Sequence, residues 1–235
     1  MTVSRPAPRL YMPCLDGIRG LAALIVVFGH APSLGFSTTI QPHSRDYGVL
    51  VFFVLSGFLM GDIYLLQTPT RSNISNYIVA RFARIVPLYF LVVILSFATF
   101  QFLDPNFTYP ITSVQLLRLL TFNGSVSVFW SVGPEVQFYV VFILLWLICA
   151  RSRLAFFVFA ICLSAFCIAT IKMWSGVFIL SKFHIFACGA MLASIRRSVR
   201  LSGTSILAAH IASIALLPSV SARDFRCFSA TRITT

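Results

Sequence analysis

The sequence predicts an all-α protein, a polytopic bundle of transmembrane helices. Apolar residues make up 58% of the 235 and charged residues only 10%, too few polar groups to cover a water-soluble surface. Apolar runs of about 17–25 residues, long enough to cross a bilayer as helices, recur from near the N-terminus almost to the end. None of them alternates apolar and polar residues as a transmembrane β-barrel requires, and hydrocarbon admits only helices or closed barrels. No soluble domain interrupts the pattern.

Residues 1–14, MTVSRPAPRLYMPC, hold two arginines and three prolines and predict a short irregular tail. A basic tail before an apolar run has the form of a signal peptide. Asp16, Arg19 and His30 interrupt the run, however, and no A-x-A-like site follows it, so the run is expected to stay as the first span, Leu15–Ala31. A polar loop with His43, Arg45 and Asp46 leads to the second span, Gly48–Leu66, where Ser56, Gly57 and Gly61 are small enough to admit a neighbouring helix or a ligand. A further loop with Arg71, Ser72, Asn73 and Asn76 precedes Arg81 and Arg84, and the third span is expected over about Ile85–Leu103. The longest loop, Asp104–Gly124, contains an apolar piece, Val114–Phe122, suited to the membrane interface. Pro134 fits the first turn of a helix, where its missing N–H costs nothing, and span four follows as Val136–Ala150. Trp130 and Tyr139 suit an interfacial aromatic belt. Spans five to seven are Leu154–Ile171, Val177–Ile195 and Thr204–Val220. The membrane domain thus covers residues 15–220, and 221–235 form an irregular tail.

The formal charge of +12 comes from 18 Lys and Arg against six acids. On a soluble domain that balance suggests nucleic acid; here most arginines lie in short loops and helix ends, where topology explains them and no nucleic-acid partner is expected. A cytoplasmic N-terminus collects Arg5, Arg9, Arg71, Arg81, Arg84, Arg151, Arg153 and Arg196 with others on the inner side, and leaves Arg45, Arg118, Lys172 and Lys182 outside. The tail SARDFRCFSATRITT is the misfit, with three arginines on the outer side and no apolar character, as if the chain were cut short or shifted out of its reading frame. The six cysteines show no CxxC or Cys/His spacing, so they read as small buried hydrophobes and no metal is expected.

Chemistry concentrates on a few ionisable residues. Arg19 and His30 are eleven positions apart, which at about 1.5 Å and 100° per residue places them three turns apart and nearly on one face of the first span. Ionisable groups within a span face a protein interior or a wet cavity and mark function. Arg19 also fits, with Asp16, an anchor at the helix end. Arg81 and Arg84, spaced i,i+3, share a helix side and form a cationic pair able to hold phosphate; the same pair fits an ordinary positive-inside anchor. The depth order places Arg19, Arg81 and Arg84 towards the cytoplasm and His30 and Glu135 towards the outer face. A histidine is the usual general base at neutral pH, and a carboxylate at matching depth can orient it. Glu135, the only glutamate, fits that role, or that of a first-turn dipole partner. Tyr139 could supply a hydroxyl, but the interfacial ring is the preferred reading. His43, His184 and His210 show no partner pattern.

Four stretches, LDGIRGLAALIVVFGH, VLVFFVLSGFLM, RFARIVPLYF and FWSVGPEVQFY, resemble the successive signatures of the acyltransferase-3 membrane family. The resemblance runs over about residues 14–147, and its most specific parts are Arg19-x10-His30 and Arg81-x-x-Arg84. It implies a multi-helix enzyme of the bacterial inner membrane. Such an enzyme takes an acyl group, usually acetyl, from coenzyme A on the cytoplasmic side and transfers it to a saccharide or glycoconjugate hydroxyl. It further implies that Arg19 acts with His30, and that Arg81 and Arg84 help hold the donor. Two departures stand out: no acid precedes the FFVLSG segment near Leu50, and about seven spans stand where the family has about ten helices. The membrane domain therefore reads as incomplete at its C-terminal end, and a shortened, inactive member is the alternative to a working enzyme. A proton-coupled transporter subunit is a further alternative, although the chain shows no repeated half and no paired broken helices.

Overall fold

The computed structural model describes residues 12–31 and 44–199, with side chains at 12–31 and 46–196. The expected seventh span and the tail at 221–235 lie outside the described residues. What is described is all helix, without strands. The elements are α1 (Pro13–His30), α2 (Ser44–Tyr64), α3 (Arg71–Ala98), α4 (Ser113–Leu120), α5 (Val132–Arg151), α6 (Arg153–Ala169) and α7 (Phe183–Val199). Four helical stretches are long and apolar enough to span a bilayer: α1, α2, α3 with the wider π turn Thr99–Leu103 that extends it, and α5 with the 3₁₀ turn Ser127–Ser131 that leads into it. α6 and α7 are apolar and shorter.

The starts of three elements differ from the sequence expectation. Arg45 and Asp46 belong to the first turn of α2, where Asp46 is buried, and not to a loop. α3 begins at Arg71, about four turns before Ile85. Thr70 caps it, its hydroxyl accepting from the Asn73 N–H at 3.2 Å, so Ser72, Asn73 and Asn76 are helical. Hydropathy misplaces this boundary because it measures transfer into lipid, whereas a cap satisfies backbone N–H groups and allows a polar first turn. α7 begins at Phe183, not Val177. Gln137 Oε1 accepts the Ile179 N–H at 2.8 Å and holds the preceding residues in a 3₁₀ turn, Ile179–Ser181. By contrast, Pro134 lies in the first turn of α5 as expected, and Val114–Leu120 falls within α4, whose N-terminus carries a capping box from Thr112 and Gln115.

The core is built on α2 and α7, which meet backbone to backbone. A Cβ on Gly57 would strike the Phe186 carbonyl oxygen, and one on Gly189 would strike the Val54 carbonyl oxygen. Small residues at such a crossing allow the close van der Waals contact that drives helix association where lipid is as apolar as the side chains. Around it Phe186 stacks on Phe53 and on Phe138 of α5, with ring centroids 4.6 and 4.4 Å apart. At another point of the same helix pair, Arg196 donates to Asp62 at 2.9 Å, both side chains largely buried. The aromatic core continues through Tyr77, Phe142 and Trp146, whose indole N–H donates to the Gln67 carbonyl at 2.8 Å. Leu88, Leu91 and Leu95 of α3, and Leu21, Leu24 and Phe28 of α1, project away from this core as exposed stripes that suit lipid.

Two substitutions separate close contact from helix propensity. Gly57→Ala should destabilise by about 1–3 kcal/mol through overpacking. Gly20→Ala, where a Cβ meets nothing within 4 Å, should be neutral or stabilise by up to about 1 kcal/mol, both read as unfolding midpoints in detergent. Asp62→Asn leaves a partly buried guanidinium without its carboxylate and should cost on the order of 3 kcal/mol, more than the double change Asp62→Asn/Arg196→Gln.

Candidate functional site

The site is assembled from polar side chains of three helices, all but Arg84 turned into the bundle. α2 contributes Ser56 and Tyr64, α3 contributes Tyr77, Arg81 and Arg84, and α5 contributes Glu135 and Tyr139. Glu135 stands in the first turn of α5, where the helix dipole favours a negative charge. Its Oε1 accepts the Tyr139 hydroxyl at 2.8 Å and the Ser56 hydroxyl at 3.2 Å, which ties α5 to α2. Tyr139 is buried, so its hydroxyl and not an interfacial ring position is what the fold uses. The reason is the i,i+4 spacing: one helical turn brings the phenol onto the carboxylate.

Arg81 is 8% exposed, deep for a guanidinium. Its cationic carbon lies 5.5 Å from the centre of the Tyr64 ring, and its Nε is buried with no hydrogen-bond partner. Arg84, one turn further along α3, is exposed. Tyr77 is fully buried and donates to the Tyr139 carbonyl at 2.9 Å and to the Met60 sulfur at 3.3 Å. Arg81 lies about 15 Å along α3, and Tyr77 of the same helix donates to the backbone carbonyl of the tyrosine that bonds Glu135.

α1 carries the remaining expected residues. Arg19 donates to Asp16 at 2.9 Å as a partly exposed i,i+3 ion pair. His30 lies in the last turn, with Nδ1 2.7 Å from the Val26 carbonyl oxygen. A carbonyl only accepts, so Nδ1 is the donor and Nε2 of the neutral ring carries the lone pair, the tautomer a base requires. The hydrogen bonds of Glu135 go to Tyr139 and Ser56 rather than to the imidazole. Sequence reasoning read Ser56 only for its size and passed over Tyr64, Tyr77 and the Asp62–Arg196 pair. The acid and the tyrosines in otherwise apolar runs were the available signal. His184, without a sequence partner pattern, has both ring nitrogens buried and unbonded.

With this geometry in place, comparison with known proteins is decisive for the family. A family model described as an acyltransferase domain matches residues 12–223. The chain belongs to the acyltransferase-3 family. The family match extends well beyond the stretch that carries the four signatures. The peptidoglycan O-acetyltransferase OatA of Listeria monocytogenes is 26% identical over 153 residues, covering 57% of this chain and 24% of that protein. Protein 2 in the picA locus of Rhizobium radiobacter is 40% identical over 87 residues, covering 37% of this chain and 44% of that protein. This acyltransferase-3 chain thus spans less than half the length of either relative. No solved structure matches it.

Within the site, Tyr77→Phe removes one buried donor while keeping the ring. It should lower stability by about 1 kcal/mol in detergent unfolding.

Proposed function

We propose that this protein is a membrane O-acyltransferase that moves an acyl group, acetyl in the simplest case, from coenzyme A to a hydroxyl of a saccharide or glycoconjugate. The observation that carries the reading is Arg81: a buried guanidinium with an unbonded Nε, one turn from Arg84. A buried charged donor left unbonded costs more than the roughly 1–3 kcal/mol of a neutral one, and a phosphate oxygen of the donor would satisfy it. Arg81 and Arg84, with Arg19 contributing from α1, hold the phosphates of coenzyme A. His30 Nε2 takes the proton from the acceptor hydroxyl as that oxygen attacks the thioester carbonyl. The thiolate of coenzyme A leaves and takes the proton from the imidazolium, while Glu135 supports the positive charge by its field. No metal is required for this chemistry. The name of the Listeria relative, a peptidoglycan O-acetyltransferase, supports a glycan acceptor. The excess of arginines on one side supports an N-terminus in the cytoplasm of a bacterium, with the protein in its inner membrane.

The test uses the 235-residue chain in lipid nanodiscs and in membranes. Acetyl-coenzyme A should bind saturably; Arg81→Ala should weaken binding at least about tenfold, the loss of one charge-assisted contact, and His30→Ala should leave it intact. Label from acetyl-coenzyme A should pass to envelope glycan in the wild type and not in His30→Ala. Binding that is indifferent to Arg81, or transfer that survives loss of His30, defeats the reading.

A further inference from the structure

Glu135 has two carboxylate oxygens, and the fold treats them differently. The Tyr139 and Ser56 hydroxyls both donate to Oε1, from two different helices, and no hydrogen bond among the described residues reaches Oε2. The terminal torsion of a glutamate is broad when free. Two donors on one oxygen stop that rotation and aim the other oxygen in one direction.

Both donors are themselves held. Tyr139 is 2% exposed; its ring meets Phe82 edge-on at 6.4 Å, and its backbone carbonyl receives the Tyr77 hydroxyl. Ser56 is next to Gly57, whose contact with the Phe186 carbonyl sets the rotation of α2. A hydrogen bond that served only to join α2 to α5 could fall on either oxygen; sharing Oε1 leaves Oε2 for another partner.

We propose that Tyr139 and Ser56 are positioning residues that pin Oε1 of Glu135 and so present Oε2 as the working oxygen of the carboxylate. The role of that oxygen in proton transfer rests on the acyl-transfer reading above. The pinning itself does not.

Because Glu135 is the only glutamate in the chain, glutamate labelled with ¹³C at the side-chain carboxyl reports on it alone. The full chain is labelled in nanodiscs, and the infrared carboxylate stretch is read in the wild type, Tyr139→Phe, Ser56→Ala and Ser56→Thr. The labelled band should move in Tyr139→Phe, move less in Ser56→Ala, and return towards its wild-type position in Ser56→Thr. In the transfer assay, Tyr139→Phe should lower kcat about tenfold, the worth of one such hydrogen bond, with KM for acetyl-coenzyme A unchanged. A band unmoved by Tyr139→Phe overturns the proposal, as does a rise in KM with kcat intact. Should Tyr139→Phe fail to fold, the Ser56 pair decides: a band that does not move in Ser56→Ala overturns the proposal. A wild-type chain whose band responds as expected but which transfers no acetyl group upholds the positioning and defeats the acyl-transfer reading.

Discussion

The backbone contact between α2 and α7 is the constraint on which the rest depends. Gly57 and Gly189 each face a carbonyl oxygen of the opposite helix, so neither helix can rotate about its axis without losing the contact. The fixed rotation of α2 points Phe53 at Phe186 and, one turn further along the same face, Ser56 at Glu135. It also brings Asp62 to Arg196, so that the ionic contact in this helix pair follows from the steric one. In hydrocarbon, where burial of apolar side chains gains little over lipid, contact geometry of this kind replaces the hydrophobic effect as the organiser.

The second constraint is that polar groups in such a bundle must find partners inside the protein. Tyr77 achieves this through the Tyr139 carbonyl and the Met60 sulfur, and Glu135 through one of its two carboxylate oxygens, which takes hydroxyls of α2 and α5. Arg81 achieves it only in part, with an aromatic face on one side and an unbonded Nε. The incomplete case is the informative one. This guanidinium is buried over the Tyr64 ring and keeps a donor unspent.

Much of this was legible in the sequence, and the illegible part has a physical cause. The all-helical class follows from composition and run length, and the small residues Gly57 and Gly61 announce a close helix neighbour, which is α7 in both cases. The start of α3 was illegible because Ser72, Asn73 and Asn76 are unfavourable in lipid yet acceptable in a capped first turn. With that boundary went the fact that Arg81 stands on the same continuous helix as Tyr77, which bonds the backbone of α5. Ser56 was illegible as a partner because its reach depends on the rotation of α2, which is a property of the packing against α7. Tyr139 was half legible: its spacing from Glu135 allowed a hydroxyl contact, and only burial decides in favour of it.

Pro87 lies inside α3, one turn beyond Arg84. It has no N–H to give to the carbonyl of Ala83, so the ladder of hydrogen bonds is broken between the arginines and the apolar half of the helix. That apolar half is tied elsewhere, through the Tyr89 hydroxyl to the Leu119 carbonyl at the end of α4. α3 is therefore two mechanical segments in one continuous helix. The segment bearing the charges is anchored to the aromatic core, and the other answers to the short helix α4, so a tilt of α4 can be absorbed at the proline without disturbing the guanidinium groups.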